Sequence, residues 1–291
     1  MDHQTTCREL KKVFIISSII CFFISCKKEL SQYYTENDDI TIGTDSSYCT
    51  PNSIVSKNLT QPEESYTLLY DSIRYGFAKQ LTVVSSPLNK TLTYIKTKLN
   101  DSIYLWNKDT VWVDKSSKLV KRMKIIPPTK LDDTIYIKLQ YDSNYLYKRL
   151  IYLNDDTIPS FESLYTYETN RQLKKIEFRF SASKSLVYEC TFEYDTSNLV
   201  KPWLYAFADF FNLETYLLGF NFGNRPVHLL KKITQTFYST YESNALGTNI
   251  INFSRYKLSK DNYVLQFACN GIKLNSTSYF YQNVELKYTC K

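Results

Sequence analysis

The stretch "TIYIKLQYDSNYLYKRLIYL", residues 134–153, decides the fold class. Ile135, Ile137, Leu139 and Tyr141 fall on one side of an alternating pattern; Thr134, Tyr136, Lys138 and Gln140 fall on the other. A period of two is that of a half-buried strand, and a helix would scatter these positions around its surface. Asp142, Ser143 and Asn144 are turn formers, because their short polar side chains bond back to the local backbone. Leu146 then resumes the apolar face on a returning strand. The unit is a hairpin. A lone hairpin is marginal in water, so its apolar face needs neighbours.

The pattern recurs. "SLYTYETNRQLKKIEFRF" at 163–180 and "VYECTFEYDTSNLVKPWL" at 187–204 repeat the strand, the tyrosine, the acid and the turn. The anchor tyrosines Tyr141, Tyr167 and Tyr194 are spaced by 26 and 27 residues. "TVWVDKSSKLVKRMKII" supplies a further copy at Val113-Asp114, 28 residues before Tyr141. Weaker copies stand at Tyr70-Asp71 and Tyr241-Glu242. The 26 Tyr, 17 Phe and 3 Trp of the chain suit pleated strand surfaces. These units resemble the tyrosine-aspartate (YD) repeats of Rhs-type proteins and a group of uncharacterised Bacteroidota lipoproteins built from them. The resemblance covers roughly residues 66–291, although the glycine usual in the Rhs turn is absent. It implies a fold and no activity, since six units are too few for the closed Rhs shell.

The expected architecture is therefore all-β: an extended, twisted antiparallel sheet of stacked hairpins, with one helical insertion. "PWLYAFADFFNLETYLLGFNF" breaks the strand rhythm at 202–222. Pro202 suits a helix start and Gly219 a helix end, which predicts a helix over 202–218. Its nearly all-round apolar character points to a plug over one sheet face. The alternative is a flap over a ligand site, with Trp203, Tyr205 and Tyr216 as contacts. "NYVLQFACNGIKLN" and "TSYFYQNVELKYTC" predict a closing hairpin whose inward face holds Phe280, Val284, Leu286 and Tyr288, with Gln282 as an exception.

The N-terminus reads as an address. Val13 to Ser25 is a mostly apolar, uncharged run of 13 residues behind Arg8, Lys11 and Lys12. It is too short to span a bilayer and fits a signal-peptide core. "FISC", residues 23–26, resembles the lipobox of bacterial lipoproteins, with Ser25 as the small residue before the cysteine; Cys21 follows the bulky Ile20 and does not fit. The resemblance implies cleavage before Cys26, with lipidation of its sulfur and amino group. Residues 1–25 are thus a lipoprotein signal peptide, 26–64 a lipidated N-terminus and polar tether, and 65–291 the β-rich domain. The implied location is the cell envelope, anchored at the outer membrane on either face.

Composition excludes several classes. Removing residues 1–25 takes three basic and two acidic residues and lowers the net charge from +7 to +6. The cations are interspersed with acids, which argues against a nucleic-acid partner. Cys49, Cys190, Cys269 and Cys290 remain beside Cys26, and their default state is the buried thiol; a Cys269–Cys290 bridge is the alternative. His228 is the single histidine left, so His-based zinc sites and serine triads have little to work with. No phosphate loop, nucleophile elbow or cysteine pair of metal spacing occurs, and no cofactor is implied. Asp-(Ser/Thr)-(Ile/Val) occurs five times, and it resembles the O-glycosylation sequon of secreted Bacteroidota proteins at Ser72, Ser102, Thr110, Thr134 and Thr157. Turn acids followed by strand starts explain the same triplets. The function expected is a non-enzymatic binding or structural module, with the membrane, a glycan or another envelope protein as partner. A glycoside hydrolase with paired carboxylates and a carrier of an apolar ligand stay open beside it.

Overall fold

The structure, a computed structural model, describes residues 49–58, 65–71, 80–86, 90–126, 133–154, 156–201, 220, 222–223, 226–239, 244–272 and 279–290. Its first eight strands are β1 (Cys49–Asn58), β2 (Ser65–Asp71), β3 (Gln80–Ser86), β4 (Lys90–Lys98), β5 (Ile103–Trp106), β6 (Asp109–Val113), β7 (Val120–Ile125) and β8 (Ile135–Asp142). The second eight are β9 (Tyr145–Leu153), β10 (Phe161–Tyr167), β11 (Leu173–Phe180), β12 (Leu186–Leu199), β13 (His228–Tyr238), β14 (Ala245–Leu258), β15 (Val264–Ile272) and β16 (Tyr279–Cys290). Every strand pairs antiparallel with its neighbour in sequence. The stacked-hairpin expectation holds, but the open sheet does not. β1 pairs β16 and closes a sixteen-stranded barrel. Closure removes the two edges that an open sheet exposes to association. The sheet also begins inside the stretch read as tether: Ile54 in β1 is buried beside Leu286, although polar residues surround it in sequence.

Alternation decides which face is inside. A row of opposed residues runs Met123, Ile137, Ile151, Phe161, Phe180 around the wall. A second runs Phe178, Tyr188, Phe237. Ile137, Phe178 and Phe267 have no solvent exposure. Phe178 stacks on Phe161 at 5.3 Å and on Tyr188 at 4.9 Å between centroids. Burying each such side chain is worth about 1.5–3 kcal/mol, so this inner face drives folding. The alternate residues point outward and are largely polar, among them Lys138, Glu193, Asn252 and Lys287.

With six glycines in the chain, most described turns are made without them. Asn107, Lys118, Ser143, Asn154, Arg171, Lys184 and Asn262 take positive φ at seven hairpin turns. The left-handed conformation costs an L-residue roughly 1–2 kcal/mol, offset here by local bonds. Asp114 Oδ1 accepts from the backbone N–H groups of Ser116 and Ser117, at 3.1 and 2.8 Å. Asp195 does the same for Ser197 at 3.0 Å. Asp114 lies in the β6–β7 turn, while Asp195 lies within β12, opposite Leu229, where the register shifts.

The predicted helix 202–218 lies outside the described residues, and no helix occurs among those described. Just beyond it, Phe220 and Phe222 are buried against the inner wall, with Phe220 edge-on to Tyr104 at 5.7 Å. Gly223 follows at φ 98°. A Cβ there would collide with the Asn144 carbonyl oxygen in the β8–β9 turn, so only glycine fits.

Candidate functional site: an aromatic and cationic face on β6–β9

Outward positions on β6–β9 form two rows. Register sets Trp112, Arg122, Lys138 and Leu150 side by side, and Thr110, Lys124, Tyr136 and Tyr152 beside them. The cations lie over the rings. Arg122 stands 5.1 Å from the Trp112 ring and 5.7 Å from that of Tyr136. Lys124 sits 5.4 Å from Tyr136, and Lys138 4.8 Å from Tyr152. Each contact is worth about 0.5–1 kcal/mol at an exposed site. It also holds long side chains flat against the wall, so ring faces and charges stay in a fixed array.

Neither row carries a carboxylate. Along the first, the next residue is Glu162 on β10, opposite Leu150. Its carboxylate is already gripped by Lys148, Arg179 and Lys184, each at 2.9 Å, and its side chain is 2% exposed. Burial pushes the Glu162 pKa up, but the bonds and charges of Lys148 and Lys184 outweigh it and hold the carboxyl below its ordinary value. The cluster extends the positive surface. It offers no proton donor or acceptor pair.

The inner wall holds a different set of polar groups. Arg149 donates to Ser163 Oγ at 3.0 Å, fully buried. Asn249 donates to Gln235 at 3.2 Å. Cys269 Sγ donates to Gln282 at 3.8 Å, so Gln282 faces inward as the alternation requires. Lys96 lies 4.7 Å from the Tyr104 ring and 4.4 Å from that of Phe220, and desolvation lowers its pKa to about 7. Among the described residues no group of three or more His, Cys, Asp or Glu could hold a metal.

Of the residues expected to carry function, Cys26, Ser72, Trp203, Tyr205 and Tyr216 lie outside the described residues. The four described triplet residues are not brought together. Ser102 lies in the β4–β5 turn, and Thr110 is in β6 opposite Lys124. Thr134 donates its backbone N–H to Asn154 Oδ1 at 3.1 Å, and Thr157 is exposed between β9 and β10. Their acids have structural partners: Asp109 accepts from Ile126 N at 2.7 Å, and Asp101 pairs with Lys98 at 2.8 Å. His228 begins β13, and its Nδ1 has no hydrogen-bond partner among the described residues. Sequence reading missed the β6–β9 face. Alternation placed Tyr136 and Lys138 outward, but only register shows that Trp112 and Arg122 lie next to them.

The molecule is thus a closed antiparallel barrel with an apolar inside and a charged outside. No protein-family model and no curated protein matches the chain. Among solved structures it is similar to a porin-like protein from Bacteroides uniformis ATCC 8492, at 14% identity and a TM-score of 0.56, over 83% of this chain and 98% of that one. A porin-like protein from Bacteroides vulgatus ATCC 8482 also matches, at 16% identity and a TM-score of 0.49, over 83% and 99% of the two chains. At these identities the likeness is one of fold. Charged side chains stand on the described outer wall. A membrane barrel turns an apolar band to lipid, where a lysine or arginine at the midplane costs about 2–4 kcal/mol; Arg122, Lys138, Lys232 and Glu193 stand on this outer wall.

Proposed function

We propose that the chain is a non-enzymatic lipoprotein of the cell envelope, held at the outer membrane through Cys26, that binds an acidic glycan on the β6–β9 face. The observation that carries this reading is the paired rows of Trp112 and Tyr136 with Arg122, Lys124 and Lys138. Ring faces stack on sugar rings, and the cations match uronate, phosphate or sulfate groups. A polar outer wall with a lipid at one end fits a domain that stands beside a membrane rather than within it. The hairpins are read as degenerate tyrosine-aspartate units, and Tyr167 of the Tyr-Glu unit donates its hydroxyl to the Leu146 carbonyl near the start of the preceding strand, at 3.0 Å. The hydrolase reading is less supported, because Glu162 is the one buried acid described and its oxygens are bonded to cations.

The test is affinity electrophoresis and calorimetry with polygalacturonate, with dextran as the neutral control. Polygalacturonate retards the wild type, and raised salt weakens the effect. Trp112→Ala and Arg122→Gln each weaken it about tenfold, the loss expected for one stacked or charge-assisted contact. Binding unchanged in both variants, or equal binding of dextran, removes the assignment.

A further inference from the structure

We propose that Cys49 and Cys290 form a disulfide that locks the seam at which the barrel closes. β1 and β16 meet in antiparallel register, and Cys49 stands directly opposite Cys290 at the end of that ladder. Directly opposed residues share a face of a sheet and have Cα atoms about 4.5–5.5 Å apart. That span lies within the roughly 4.4–6.8 Å a disulfide bridges. No other described cysteine has such a partner. Cys190 opposes Ile176 and Gln235, Cys269 opposes Phe253 and Gln282, and both are buried. The register replaces the Cys269–Cys290 bridge considered from sequence. Gln282, opposite Cys269, lies eight residues along β16 from Cys290, about 26 Å at strand rise.

The seam has a reason to need the bond. Pro51 brings no N–H to the ladder, and the register of β1 shifts between Pro51 and Ser53. The hydrogen bonding is therefore interrupted at the end where the cysteines sit. The seam also joins the two strands furthest apart in sequence, so a cross-link there closes the longest loop in the barrel, where the constraint on the unfolded chain is largest.

Formation of the bond removes two protons and two electrons from the thiols. One thiolate attacks the disulfide of an oxidant protein outside the cytoplasm, giving a mixed disulfide. The second thiolate displaces the oxidant's sulfur, and the oxidant leaves as a dithiol. This source of oxidant rests on the export reading above; the register does not.

The mature chain is purified from the envelope of an expressing bacterium, and a portion is equilibrated with oxidised glutathione. Both samples are alkylated and digested without reductant. A Cys49–Cys290 linked peptide in both, with Cys190 and Cys269 alkylated after unfolding, is expected. The linked peptide in the glutathione sample alone supports the pairing and overturns the export reading. Free Cys49 and Cys290 after glutathione treatment, or either one joined to Cys190 or Cys269, overturns the pairing. As a second readout, Cys49→Ser, Cys290→Ser and the double variant each lower the Tm by the same amount, roughly 10 °C. Falls that add in the double variant overturn the pairing.

Discussion

At the scale of single residues, two groups make stability rise with pH, each in its own pH window. Asp114 accepts bonds from Ser116 and Ser117, and first among these the Ser117 N–H; together they hold its pKa well below the usual carboxylate range. The turn is therefore stabilised by the ionised form. Its contribution is full above about pH 4 and drains as the pH falls toward the lowered value. Asp114→Asn should lose less Tm between pH 5 and pH 2.5 than the wild type does; equal losses in thermal melts would show that the turn bonds add nothing. Lys96 acts in the same sense at higher pH, through its neutral form. Desolvation lowers its pKa to about 7 when folded, against about 10.4 in the unfolded chain. Between these values the unfolded state binds more protons, so stability rises with pH. Lys96→Met should flatten that rise between pH 7 and 9.5, and parallel wild-type and variant curves would remove the assignment. The role of Asp114 was legible in "VDKSSK", because an Asx turn is local. That of Lys96 was not, since Phe220 reaches it from the far side of the insertion.

The element that repeats is the hairpin, and its tyrosine does more than fill the inner face. Tyr167 at the end of β10 donates to the Leu146 carbonyl at 3.0 Å and lies edge-on to the Tyr145 ring at 5.1 Å. Tyr256 near the end of β14 and Tyr288 near the end of β16 repeat the bond with Leu230 and Val264. Each ties the end of one strand to the beginning of the strand before it. Tyr167→Phe should cost about 1 kcal/mol, the net worth of one such bond, read by urea denaturation. A midpoint equal to that of the wild type would mean the ring alone matters. The 26-residue spacing from Tyr141 made Tyr167 visible in sequence, whereas Tyr256 and Tyr288 lie off that spacing, and none of the acceptors was visible. Those carbonyls lie on the strand before, and which carbonyl comes within reach depends on cross-strand register.

At the scale of the molecule, the wall sorts apolar residues inward and charges outward. A chain of residues 27–291, lacking Cys26, the proposed site of lipidation, should remain monomeric in buffer without detergent, since Lys138, Glu193, Asn252 and Lys287 are among the residues that face outward. Sedimentation showing detergent-dependent solubility would reverse the reading of the wall. The amino-acid sequence by itself determined the all-β class, the hairpins of the clearest copies and their inward face, because a period of two and turn chemistry act between residues close in the chain. The lipobox-like "FISC" is equally local. Tertiary structure alone decided that the sheet closes, that β1 belongs to it, and that Cys49 meets Cys290. It also decided that Trp112, Arg122, Tyr136 and Lys138 share one outer face. Closure depends on twist summed over sixteen strands, and a shared face depends on the register between strands; neither is written in the spacing of residues along one of them.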